Sequence, residues 1–112
     1  HHFSAKDNNE HIHDHPFSFT THILKGSYVE KIYEISDDGS FTSSVHHRKE
    51  NSCHFVSANT IHEIIDLPEG ECYTLILPGR PEKETFFYRF EDGRAFVRKW
   101  NQRKFRPFES LR

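Results

Sequence analysis

The stretch YVEKIYEISDDGSFTSSVHHR, Tyr28 to Arg48, decides the fold class. Its first eight residues are rich in Val, Ile and Tyr, and its last eight mix Phe, Thr and Val with polar residues; both compositions suit a pleated, half-buried strand. Between them stands Asp37-Asp38-Gly39-Ser40. Asp and Gly tolerate the positive φ that tight hairpins need, so the segment predicts two antiparallel strands, Tyr28–Ile35 and Phe41–Arg48.

The same grammar extends both ways. Upstream, Phe17–Leu24 reads as a strand, with Lys25-Gly26-Ser27 as the turn into Tyr28. Downstream, Cys53–Ser57 and Ile61–Leu67 flank Ala58-Asn59-Thr60, and Pro68-Glu69-Gly70 is a further turn. Cys72–Leu77 (CYTLIL) is apolar at both parities, which predicts a strand buried on both faces inside a two-sheet sandwich. Pro78-Gly79-Arg80-Pro81 ends it, and Thr85–Phe90 and Arg94–Trp100 form a last hairpin across Glu91-Asp92-Gly93. The alternation fades after Asn101, leaving 101–112 as an irregular tail. No stretch carries helical periodicity with caps. Short strands punctuated by turn residues predict an all-β sandwich or barrel.

The 112 residues suit a single domain over 1–112. Hydrophobic residues make up only 34%, but eleven Phe, four Tyr and one Trp supply large apolar area per residue, enough to fill a small barrel. The net charge of −2 argues against nucleic acid and anionic membrane as partners. The basic residues Arg94, Arg98, Lys99, Arg103, Lys104 and Arg106 read as a solvated face or as a contact for an acidic partner. Cys53 and Cys72 match no zinc motif and read as reduced thiols, a disulfide being better suited to an exported protein. No signal peptide and no apolar run of membrane-spanning length is visible, so a cytoplasmic setting is expected.

Histidine is the outlier, with ten copies. His1 and His2 read equally as native or as the remnant of an affinity tag. The segment His11-Ile12-His13-Asp14-His15-Pro16 carries the chemistry. Residues two apart on a strand point to one face, so His11, His13 and His15 project together and two of them can chelate one ion. Neutral imidazole binds Zn²⁺, Fe²⁺, Mn²⁺ and Ni²⁺. His46, His47 and His54 read as sheet residues.

Gly26 follows His15 by eleven residues, and His62 ends Ser57-Ala58-Asn59-Thr60-Ile61-His62. With these features the chain resembles the cupin superfamily, whose first motif places HxH, a Glu and a turn Gly at such distances. Its second motif, Pro-x-Gly-x-x-His, delivers one more histidine. Ser57 and Asn59 stand where Pro and Gly are usual, and Asn can take the positive φ. The blocks His13-Asp14-His15-Pro16-Phe17, Leu24-Lys25-Gly26-Ser27-Tyr28-Val29-Glu30 and Thr74-Leu75-Ile76-Leu77-Pro78-Gly79 resemble an uncharacterised cupin subgroup with a His-Asp-His-Pro signature. The resemblance implies a double-stranded β-helix, or jelly-roll barrel, with a divalent metal on His13, His15 and His62, and a homodimer.

The usual cupin glutamate would fall at Phe19 or Thr20, neither a good ligand, which suggests a three-histidine site. His22, sharing the parity of Thr20, and Glu30 are the candidates for a fourth ligand. Asp14, Asp66 and Glu63 are candidate second partners of the imidazoles. Glu30, Tyr28 and Arg48 are the candidate substrate-binding residues; Arg80 and Arg89 also offer anion binding. Three neutral ligands leave open positions on the ion, the arrangement of a non-haem metal-dependent oxygenase acting on a small polar or anionic molecule, with Fe²⁺ as the expected metal. The alternatives are a non-catalytic module that binds a small molecule or metal, and a metal-free sugar isomerase or epimerase using histidine as base. Fold alone selects none of these.

Overall fold

A computed structural model describes residues 2–4 and 12–108, and every regular element among them is a β-strand. These are β1 (His2–Ser4), β2 (Ile12–His13), β3 (Phe19–Gly26), β4 (Tyr28–Ile35), β5 (Phe41–Arg48), β6 (Cys53–Val56), β7 (Ile61–Asp66), β8 (Glu71–Pro78), β9 (Phe86–Glu91), β10 (Arg94–Lys99) and β11 (Arg106–Pro107). They form two antiparallel sheets. The shorter has the order β1-β8-β3-β6, and the longer, which curls as half a barrel, has the order β11-β10-β9-β2-β7-β4-β5. No helix among the described residues is long and apolar enough to cross a membrane.

The turns follow the expected chemistry. In the β4–β5 hairpin Gly39 adopts φ +86, and Asp38 Oδ1 accepts bonds from the amide and hydroxyl of Ser40 at 2.9 and 2.6 Å. The β9–β10 hairpin closes on two residues of positive φ, Asp92 and Gly93, the pattern that matches the twist of paired strands. Gly26 is required twice over: its φ is +80, and a Cβ there would drive into the Glu71 carbonyl.

The core lies between the sheets. Ile23 and Cys72 of the shorter sheet meet Tyr28, Ile64 and Leu67, contributed by the longer sheet and the turn after it. On β3 the inner row is Phe19, Thr21 and Ile23, all buried. The expectation for Cys72–Leu77 needs correction. Its even positions, Cys72 and Thr74, are buried, but Tyr73, Leu75 and Leu77 are exposed. β8 sits between β1 and β3, so pairing covers both its edges, while Leu75 and Leu77 on its outer face remain about half exposed or more. The tail also differs from expectation: residues 101–108 include β11, paired with β10 through Phe96↔Pro107 and Val97↔Arg106.

Candidate metal centre

Strand pairing puts two of the histidines side by side. His13, at the end of β2, stands directly opposite His62 on β7. Opposed residues in an antiparallel ladder share a face, so both rings enter the space between the sheets. His15 lies beyond the strand, where the chain turns. Its position is fixed by backbone bonds on both sides: His15 N to Ala58 O at 3.1 Å, Asp14 N to Phe86 O at 3.1 Å, and Glu82 N to Pro16 O at 2.7 Å. The Ser57–Thr60 turn therefore delivers His62 and also pins His15. That turn closes through Thr60 N to Ser57 O at 2.9 Å and Asn59 N to Ser57 Oγ at 3.2 Å. Asn59 does not adopt the positive φ expected of it; the serine side chain does the work of the glycine.

The three imidazoles form one cluster, with one ligand nitrogen from each lying within 4.8 Å of the others. Ring centroids are 4.9 Å apart for His13–His15, 5.1 Å for His13–His62 and 4.8 Å for His15–His62. The Nε2 atoms of His15 and His62 approach to 2.8 Å. Two lone pairs cannot face each other at that distance, so a proton or a cation must lie between them. Nitrogens sharing one ion at about 2.1 Å stand about 3.0 to 3.4 Å apart, so this pair needs to open by only a few tenths of an ångström to take one. Burial, and then the neighbouring His62, His13 and Lys83, push His15 down to about 3, so its imidazole is neutral and a competent ligand at neutral pH. This donor set suits a first-row divalent ion.

Behind His62 stands Glu30. It is 1% exposed, and its Oε1 lies 2.8 Å from His62 Nδ1. The carboxylate accepts, so Nδ1 carries the proton and Nε2 is left with its lone pair toward the cluster. Glu30 Oε2 accepts from Arg48 Nε at 2.7 Å, and His54 Nε2 lies 3.6 Å away. Burial alone would raise the Glu30 carboxyl, but the bonds from His62 and Arg48 overcome it and hold the group at about 2. His54 is pushed below its ordinary value by burial and by Arg48; its Nε2 is 3.3 Å from the Tyr28 hydroxyl, and its buried Nδ1 has no hydrogen-bond partner among the described residues.

Asp14, between the two ligand residues, faces the other way and is buried. Its Oδ1 accepts from Phe86 N at 2.8 Å and lies 2.8 Å from Lys83 Nζ, and its Oδ2 accepts from the Tyr88 hydroxyl at 2.9 Å. It thus ties the His13–His15 segment to β9 rather than bonding an imidazole.

The other candidates separate. His22 is not brought to the cluster. The inner row of β3 is the odd one, so His22 lies on the outer face, between Cys53 and Leu75 of the adjoining strands. Both Glu30 oxygens are engaged with His62 and Arg48, which makes it a partner of a ligand rather than a ligand. Tyr28 is packed in the core, and burial raises its hydroxyl above the ordinary range. Asp66 is exposed beyond a register shift between Val29 and Glu30, and Glu63 accepts from the Tyr33 hydroxyl at 2.6 Å, so neither supports an imidazole. His11 lies outside the described residues. Comparison of the chain with family models, with curated proteins and with solved structures finds no match.

Proposed function

We propose that this chain is a metal-binding barrel of the cupin type, in which His13, His15 and His62 hold a divalent cation that faces a small anionic ligand. The observation that carries the reading is the convergence of three imidazole nitrogens within 4.8 Å, with the far nitrogen of His62 held by Glu30. The charge count supports an anion as the ligand. The three imidazoles add no negative charge, Glu30 is matched by Arg48, and Asp14 is matched by Lys83. A bound dication would therefore keep its charge for the ligand. Both Glu30 oxygens are taken, one by His62 Nδ1 and one by Arg48 Nε, so Glu30 acts on that ligand through His62.

In its finer form the proposal is a non-haem metal-dependent oxygenase. A divalent ion on three neutral nitrogens supplies Lewis acidity and, when it is iron, oxygen activation. The protein's part is to hold the ligand nitrogens, fix the His62 tautomer and shield the site between two sheets.

Elemental analysis of protein purified without a metal-charged resin tests the first part. About one equivalent of transition metal is expected in the wild type and none in His62→Ala. Anaerobic loading with Fe(II), followed by oxygen uptake against small thiols, amino acids and 2-oxo acids, tests the second. Tight metal binding without oxygen uptake leaves a non-catalytic binding module; absence of metal binding removes both.

A further inference from the structure

Five of the large apolar side chains that the fold leaves exposed lie on one surface. Leu24, Phe55, Tyr73, Leu75 and Leu77 are between 38% and 68% exposed, and all five project from the outer face of the shorter sheet. The register makes them neighbours. Phe55, Thr20 and Leu77 form one row across β6, β3 and β8, and Cys53, His22 and Leu75 form the next. Neither row contains a carboxylate, lysine or arginine. Lys25 stands at the margin, with its Nζ 6.0 Å from the centre of the Tyr73 ring.

Counting about 200 Å² for each full side chain, these exposures leave roughly 500 Å² of contiguous apolar surface, at the upper end for a monomer. Doubled by a second copy and widened by Thr20, His22 and Cys53, it passes the roughly 1,000 Å² that a specific interface needs. Other occupants fit less well. An acidic or basic partner finds no counter-charge in the two central rows. Residues 5–11 and 109–112 contain one large apolar side chain, Leu111, and supply no apolar stripe to lie on the face. A twisted three-strand surface is best matched by another of the same twist, as in the aligned packing of sandwich sheets.

We propose that the outer face of the shorter sheet, carrying Leu24, Phe55, Tyr73, Leu75 and Leu77, packs against the same face of a second copy of this chain. The contact is isologous, each copy offering the same patch about a two-fold axis. It also gives Cys72–Leu77 the second apolar cover that its sequence implies.

Cys53 is the built-in reporter. It is exposed within the patch, on the edge strand β6, whereas Cys72 is buried, so thiol reagents report on Cys53. Sedimentation velocity in reducing buffer, run over a hundredfold range of concentration, is expected to show a shift from monomer to dimer. Alkylation of Cys53 should slow several-fold over the same range. Phe55→Lys should keep the protein monomeric at every concentration. Leu75→Thr/Leu77→Thr, which retains strand propensity, should do the same with an unchanged far-ultraviolet spectrum, separating loss of contact from loss of fold. A wild type that stays monomeric throughout, or a dimer that survives both sets of changes, overturns the proposal.

Discussion

Replacing Glu30 by Gln is the most informative single change, because it alters charge while keeping shape. The amide oxygen can still accept from His62 Nδ1 at the observed 2.8 Å, so the tautomer survives; what disappears is the negative charge shared between His62 and Arg48. The structure sets the size of the effect. Glu30 is held at about 2 against an ordinary 4.5. At 1.36 kcal/mol per unit, the ionised group contributes about 3 kcal/mol to the folded state at neutral pH. Loss of a charged partner behind a ligand histidine typically lowers metal affinity ten- to a hundredfold. Glu30→Gln should therefore bind Zn²⁺ or Co²⁺ at least tenfold more weakly in a chelator competition. Its urea midpoint should fall by the equivalent of a few kcal/mol. Glu30→Ala, which also frees the imidazole to rotate, should bind more weakly still. If Glu30→Gln loses stability but keeps wild-type affinity, Glu30 only props the fold. If neither quantity changes, the carboxylate is not the partner of His62 and the reasoning about the centre fails.

Three further outcomes follow from the geometry. The metal-free protein should lose stability as pH falls below 6.5, because unfolded His15 takes up a proton there while the folded residue resists until about 3. Glu30 joins only below 4.5, where the unfolded carboxyl protonates and the folded one does not until about 2. Urea midpoints at stepped pH should thus show His15→Gln flattening the curve between 6.5 and 4.5, and an unchanged slope there would exclude the buried neutral imidazole. Asp14→Asn leaves the half-buried Lys83 without its carboxylate and should cost about 1–2 kcal/mol, read as a lowered melting temperature. It should also weaken metal binding, since Asp14 separates the two ligand residues. Gly26→Ala should destabilise by about 2 kcal/mol or more, from the left-handed backbone and the close Glu71 carbonyl, in a denaturant titration.

The sequence makes some of this legible and hides the rest for definable reasons. Hairpins are local, so Asp37–Ser40 and Asp92-Gly93 announce themselves through residues that accept positive φ. The histidine cluster is half local: the two-residue spacing of His13 and His15 is visible, while the approach of His62 depends on β2 lying beside β7. The role of Glu30 is not local at all. It requires β4 between β7 and β5, with Ile32 opposite His62 so that residue 30 reaches the ring from the next turn of the pleat. A weak signal exists, since Glu30 shares parity with Tyr28, an apolar residue at the start of the same strand. His54 is hidden in the same way; only its pairing with Thr21, a buried residue, shows that it faces inward.

His22 and the Cys72–Leu77 strand fail for a common reason. Both needed the inner row of the shorter sheet to be identified, and its sequences are apolar at both parities. Phe19, Thr21 and Ile23 compete with Thr20, His22 and Leu24; Cys72 and Thr74 compete with Tyr73, Leu75 and Leu77. Alternation cannot choose when both rows can be buried. The fold chooses one row, and in the other Leu75 and Leu77 stay exposed. A strand stretch left to water usually carries mostly polar residues, as β5 does at Thr42, Ser43 and Ser44, all exposed. The contrast between the exposed Leu75 and Leu77 of β8 and the exposed Thr42, Ser43 and Ser44 of β5 is what the proposed two-fold contact accounts for: with it, the apolar pattern of Cys72–Leu77 would be buried on both faces, while the mixed pattern of Phe41–Arg48 needs no such cover.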